Sequence, residues 1–257
     1  MKNIDIILIG GQSNAVGCTD IVTLDENLRN FVYPNVCLYE EGNFASFYQE
    51  KVMKGIKCGM GHNPSQMGIE YGIACRLNEA TDKDIGLIRF AYGGSTLFFH
   101  WQTEYEGNPS STIEKGYCYH SFLKTVEKGQ DAYRTQGYNP VIRGMVWMQG
   151  ETDATSQEMA TVYELNMKTL FKKLRERILP NLKIIVGEIA TSKEKAPYSD
   201  EIRRIQKKVT DEDENAFFLS TKDIPIGRDG FHFDGNEDFA LGKRFGEYIL
   251  KYLELSL

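Results

Sequence analysis

The chain has 257 residues, with 30 Lys plus Arg against 36 Asp plus Glu, a net charge of −6, and 41% hydrophobic and 12% aromatic residues. At this length a single core can bury roughly 75% of the unfolded surface, so one domain over residues 1–257 needs neither disulfides nor a structural metal to hold it. The acidic balance excludes a broad phosphate-neutralising face, which requires clustered Lys and Arg, so nucleic acid is not an expected partner.

The first predicted element is a strand over Ile4–Ile9. An irregular insertion, Thr19–Gln66, follows and contains a weaker strand at Val36–Tyr39. A helical pattern covers Gly68–Glu79, then a strand Ile85–Ala91, a second insertion Leu97–Gly116, and a helical pattern Tyr119–Thr135. The strand Val141–Met148 precedes a long helix, in which Met159, Val162, Tyr163, Met167, Leu170, Phe171, Leu174 and Ile178 form one stripe at steps of three and four. Strand Ile184–Ile189, helix Ser199–Asp213 and strand Ala216–Leu219 come next. A C-terminal helix then carries Leu241, Phe245, Tyr248, Ile249, Tyr252 and Leu253 on one face. Alternation of this kind predicts an α/β protein, a three-layer α/β/α sandwich around a central parallel sheet of about five strands.

No apolar run approaches the roughly 20 residues of a membrane span, so no membrane partner is expected. Without a basic leader ahead of an apolar segment a cytoplasmic location is expected, with secretion after removal of a leader as the alternative. Cys18, Cys37, Cys58, Cys75 and Cys118 are odd in number, scattered and never in a C-x-x-C pair, which fits reduced thiols better than a disulfide framework or a zinc site.

Ligands of open parallel sheets bind beyond the carboxyl ends of the strands, and those ends carry the polar motifs of this sequence. The first ends in Gly10-Gly11-Gln12-Ser13-Asn14, which places a hydroxyl after a sharp glycine turn. Ser13 fits a nucleophile and equally a helix cap. A phosphate loop is excluded because no Gly-Lys-Ser/Thr follows, and Gln12 and Ala15 break the dinucleotide pattern. The strand Ile85–Ala91 ends in Tyr92-Gly93-Gly94-Ser95, where Gly94 is either a turn residue or an oxyanion donor through its N–H. Trp147-Met148-Gln149-Gly150-Glu151-Thr152-Asp153 brings an amide and two carboxylates to the same edge. Gln149 and Glu151 are read as site residues or as a self-satisfied network, and Asp153 as the cap of the long helix. Before the last helix, Asp229 stands three residues ahead of His232, a spacing that lets a carboxylate orient an imidazole. No second His lies at ligand spacing, so no metal is expected.

Ser13, Gly94, Gln149 and the Asp229/His232 pair thus arrive on separate strand-end loops. With G-Q-S-N, G-G-S, W-M-Q-G-E-T-D and D-G-F-H in this order, the chain resembles the SGNH hydrolase superfamily. Within it the resemblance is to the sialate O-acetylesterase and acetylxylan esterase group, carbohydrate esterase family six, over residues 4 to about 250. The resemblance implies a flavodoxin-like SGNH fold and a serine esterase that removes O-acetyl groups from carbohydrates, with an acetylated xylo-oligosaccharide or sialic acid as substrate and no cofactor. It implies Ser13 as nucleophile and His232 as base, with the N–H groups of Ser13 and Gly94 and the Gln149 side chain as oxyanion hole. For the acid it implies Asp229, with Glu151 as second choice. Gln12, Asn14, Ser95, His100 and Trp101 are expected to contact substrate, and Tyr92, Phe98, Phe99 and Tyr105 to add aromatic surface to the cleft. Two other readings remain open: a lipase, thioesterase or acyltransferase on the same fold, and a non-catalytic carbohydrate-binding protein.

Overall fold

The structure, a computed structural model, describes residues 1–41, 52–104, 109, 111 and 114–256. Among these, seven strands form one sheet: β1 (Lys2–Gly11), β2 (Val32–Glu40), β3 (Met53–Lys57), β4 (Ile85–Ala91), β5 (Tyr138–Met148), β6 (Ile184–Gly187) and β7 (Ala216–Leu219). Their spatial order is β3-β2-β4-β1-β5-β6-β7. Every pairing is parallel except that of β2 with β3. The helices are α1 (Ser13–Val16), α2 (Ile69–Ala80), α3 (Tyr117–Thr135), α4 (Gln157–Arg177), α5 (Ser199–Asp211) and α6 (Gly235–Tyr252).

Side chains alternate across a strand, so β1 feeds both layers. Ile6 and Leu8 join the core made with Phe122 and Val126 of α3, Met167 and Leu170 of α4 and Ile202 of α5. Ile7 and Ile9 face the opposite core, built with Ile73 and Leu77 of α2 and Phe245 and Ile249 of α6. Burial on both faces explains why β1 reads as a continuous apolar run. The five cysteines are free thiols, and burial pushes that of Cys37 up to about 11.

Two strands exceed the sequence reading. β2 extends to nine residues beside β4, and β3 lies inside the stretch taken as irregular. β3 is an edge strand with Lys54 and Lys57 in its five residues, a composition that blunts edges and hides the alternating signal. In the sheet, β4, β1 and β5 are parallel neighbours at the centre, so their carboxyl ends open side by side.

One polar cluster is set into the core on the α2/α6 side. Arg89 of β4 is 1% exposed and binds the Glu40 carboxylate through Nε (3.0 Å) and Nη2, which also donates to the Met60 carbonyl at 2.7 Å. Its Nη1 also lies 2.8 Å from Glu70 Oε2 as an ion pair. Burial raises the Glu70 carboxyl, and the Arg89 charge opposes that rise. Removing one partner from a buried cluster strands the others. Arg89→Met is therefore expected to cost about 3 kcal/mol, read as a fall in Tm of roughly 6–12 °C by circular dichroism at pH 7. The deficit should narrow as the pH drops toward 4.5, because Glu70 in the folded variant then accepts a proton and no longer needs a cation. A deficit that does not change with pH would remove Glu70 from the account.

Candidate active site

Ser13 is placed by a close approach of two strands. Gly11 has φ +145°, and a Cβ on it would lie 1.9 Å from the Met148 carbonyl oxygen, so only glycine fits where β1 crosses the end of β5. Gln12 N–H then donates to that same carbonyl at 2.9 Å, and the chain turns into the four-residue α1. Ser13, at its first position, has no intrahelical acceptor for its N–H. Its side chain stands at the edge of the sheet, 8% exposed.

The turn after β4 lies against Ser13. A Cβ built on Gly93 would come within 4.0 Å of Ser13 Cβ, and Gly94 has φ +71° with open space where a side chain would stand. Ser95 N–H closes the turn on the Tyr92 carbonyl at 3.1 Å, while the Gly94 N–H donates to no backbone acceptor among the described residues. Two backbone donors, from Ser13 and Gly94, are thus left at the sheet edge.

The third loop, after β5, turns inward. Gln149 is fully buried, and its Nε2 reaches Asp153 Oδ2 (2.6 Å), the Ser95 carbonyl (3.0 Å) and Gln12 Oε1 (3.3 Å). Tyr163 donates to the Gln149 carbonyl at 2.9 Å, and Gln206 Nε2 donates to it at 3.0 Å. An amide has two N–H hydrogens, and both are committed here to buried acceptors. The Gln149 side chain therefore braces three loops instead of facing an oxyanion, contrary to the role expected of it. Asp153 differs from expectation as well. Ser156, not Asp153, is the cap position of α4, while Asp153 accepts Leu97 N–H (3.0 Å) and Phe98 N–H (3.1 Å) and so anchors the second insertion. Burial pushes its carboxyl up to about 6 against these donors.

The fourth loop carries Asp229 and His232. Asp229 Oδ1 accepts both Phe231 N–H and His232 N–H at 2.8 Å, which curls the chain over Gly230 and brings Oδ2 to 2.6 Å from His232 Nδ1. Burial of Asp229 works to raise its carboxyl, but the two amides and the imidazole outweigh it and hold the group below its usual range. An ionised carboxylate at Nδ1 requires the ring proton there, leaving the Nε2 lone pair to accept. The loop is clamped from outside by Ser192 N–H donating to the Gly230 carbonyl at 3.0 Å.

Glu151 makes a different contact. It is 1% exposed, its Oε1 accepts Asn14 Nδ2 at 2.7 Å, and burial raises its carboxyl, opposed by the Asn14 hydrogen bond and more weakly by His232. It has no hydrogen bond to the imidazole. Ser13 Oγ likewise has no hydrogen bond to His232 among the described residues.

Of the expected substrate contacts, most are interior. Gln12, Asn14 and Ser95 are 3%, 2% and 0% exposed, and Gln12 Nε2, Asn14 Nδ2 and Ser95 Oγ are held by protein partners. Trp101 is 1% exposed, donates Nε1–H to Ser95 Oγ at 2.9 Å and meets Trp147 edge-on at 4.8 Å. It supports the cleft from beneath and cannot line it. His100 is partly exposed, accepts Thr96 N–H at Nδ1 (3.1 Å) and stacks on Tyr92 at 6.1 Å with an interplanar angle of 28°. Burial lowers its pKa, and Nδ1, by accepting the Thr96 N–H, leaves the ring proton on Nε2. Tyr105 lies outside the described residues. Sequence reasoning overlooked the bracing residues Tyr163 and Gln206, which sit on helix faces that read as plain core. A cavity of about 790 Å³ beside α3, lined by Phe90, Tyr117, Lys124 and Arg177 among others, contains none of these candidates.

The serine turn, the paired glycines and the aspartate-bound histidine thus stand on three separate loops. The model of the family described as carbohydrate esterase, sialic acid-specific acetylesterase matches residues 3–251. The chain belongs to this family. A probable carbohydrate esterase of Arabidopsis thaliana is 24% identical over 259 residues, covering 95% of this chain and 90% of that protein. The crystal structure of an Arabidopsis thaliana protein superposes with a TM-score of 0.75 at 19% identity, covering 98% of this chain and 99% of the other. NanS follows at 0.70 and 14%, covering 98% of each chain. A carbohydrate acetylesterase from Xanthomonas citri gives 0.67 and 17%, covering 97% of this chain and 56% of the other. These structures share the fold of this chain, a central sheet between two helical layers as expected from the sequence.

Proposed function

We propose that this carbohydrate esterase is a serine enzyme that removes O-acetyl groups from sugars through an acetyl-serine intermediate. The observation that carries the reading is the 2.6 Å contact of His232 Nδ1 with Asp229 on a loop joined to the Ser13 turn. In the first half-reaction His232 Nε2 takes the Ser13 hydroxyl proton as Oγ bonds to the acetyl carbon. The carbonyl oxygen gains negative charge, and the Ser13 and Gly94 N–H groups stabilise it. The carbon–oxygen bond to the sugar breaks, and the sugar oxygen leaves with the proton from His232. In the second half-reaction water adds to the acetyl carbon, gives a proton to Nε2 and releases acetate, and the proton returns to Ser13. Asp229 stays ionised and holds the imidazole in the required tautomer.

The Tyr92 and His100 rings beside the Gly93–Gly94 turn offer a flat aromatic face and a neutral N–H donor, which suits a sugar ring and its hydroxyls. The substrate is proposed to be an acetylated xylo-oligosaccharide or an acetylated sialic acid. The test is acetate release from a panel of acetylated xylo-oligosaccharides, sialic acids and monosaccharides, with Ser13→Ala as control. Release from at least one sugar class, absent in the control, is expected. A preference for long-chain p-nitrophenyl esters over acetyl would favour a lipase instead. Failure of a serine-directed phosphonate to label Ser13, read by intact mass, would favour a binding protein.

A further inference from the structure

The catalytic reading leaves one relation unexplained. Ser13 and His232 must meet, yet they are 219 positions apart in sequence, and no hydrogen bond joins Ser13 Oγ to the imidazole. Something else must set their separation. Asn14, the residue after the proposed nucleophile, is 2% exposed, and its Nδ2 makes two hydrogen bonds. One goes to Glu151 Oε1 at 2.7 Å, the other to the Phe231 carbonyl at 3.0 Å, on the residue that precedes His232. A single planar amide thereby joins three strand-end loops. Asparagine suits the place because one nitrogen supplies two donors in a fixed fork, whereas an aspartate would bring two acceptors against a carbonyl and a carboxylate. Glu151 holds one arm of the fork, which aims the other at Phe231. Lower on the same segments, Thr19 Oγ1 donates to the Phe233 carbonyl at 3.1 Å, so the loop is tied on both sides of His232 to the chain that follows Ser13.

Resting on the esterase reading above, we propose that Asn14, aimed by Glu151, is a positioning residue that sets the His232 loop against Ser13. Glu151 then serves catalysis through Asn14, not as the partner of the imidazole. Loss of the tie should let the Phe231–Phe233 backbone drift, and a displacement of about 1 Å at a reacting centre can cost about 100-fold in rate.

The experiment combines turnover of p-nitrophenyl acetate with native-state hydrogen exchange. Asn14→Ala is expected to lower kcat about 100-fold with KM changed less than about threefold. Amide exchange in the segment 229–233 should quicken by about tenfold or more while the strands keep their protection. Glu151→Ala should lose about as much as Asn14→Ala, and Glu151→Gln, which still offers Oε1 to Asn14, should recover most of that loss. The proposal is overturned if Asn14→Ala keeps its kcat or leaves exchange unchanged. It is also overturned if Glu151→Gln is as damaging as Glu151→Ala, since the charge of Glu151 would then be what matters. A wild-type protein without Ser13-dependent turnover would sink the esterase reading alone, because the exchange measurement decides the tie without any substrate.

Discussion

Replacing Ser13 with alanine is expected to lower kcat for acetyl-ester hydrolysis by about 10⁴- to 10⁶-fold, leaving the fold and the affinity for product nearly unchanged. The size follows from what is lost. Without Oγ no acetyl-enzyme forms, and the remaining N–H donors and His232 can assist only a direct attack by water. The substitution removes one oxygen from a side chain that makes no hydrogen bond needed by the core, so unfolding should shift by less than about 1 kcal/mol. Steady-state kinetics on p-nitrophenyl acetate, paired with thermal unfolding, separates the two effects. Turnover within tenfold of wild type would mean that Ser13 is not the nucleophile.

The second large effect is expected at Asp229. Its two oxygens do different things: Oδ1 holds the Phe231 and His232 amides, and Oδ2 holds the imidazole. Asp229→Ala removes both, whereas Asp229→Asn can keep an oxygen on the amides while presenting NH₂ to Nδ1. An N–H group facing Nδ1 forces the ring proton to Nε2, where it blocks proton transfer from Ser13. Both variants are therefore expected to lower kcat by about 10³- to 10⁴-fold, the Asn form nearly as severely as the Ala form. Retention of wild-type kcat by Asp229→Asn would assign Asp229 to loop structure only. The half-exposed position of Asp229 does not weaken this expectation, because the effect works through the tautomer and not through a long-range charge.

Much of this arrangement was legible in the sequence, and the reasons are local. Gly10-Gly11-Gln12-Ser13 after an Ile-rich run can only be a turn at the end of a buried strand, since Gly11 alone tolerates the approach of Met148. Asp229 and His232 meet because three residues and a glycine suffice to close the loop. By contrast, β3 left no trace, because an edge strand with two lysines and one buried apolar residue carries no pattern. Arg89 and Glu70 were passed over inside apolar stretches, although a lone charge in a buried strand signals a partner.

The residues that lie elsewhere than expected share one cause. The sequence shows which side chain arrives at a strand end but not which way it faces. Gln149 turns inward because Gln12 and the Ser95 carbonyl attract its amide from two other segments. Trp101, an aromatic in a long insertion, is drawn under the cleft by Ser95 and the face of Trp147.

By itself, then, the sequence determined the layered α/β architecture and the polar motifs carried at its strand ends, because periodicity and short-range spacing act within a few residues. Only the tertiary structure decided which of those polar groups face solvent and which brace the interior. That choice depends on partners 56 to 217 positions away, as for Leu97 with Asp153 and Asn14 with Phe231, and a buried polar group points to wherever its hydrogen-bonding partner is.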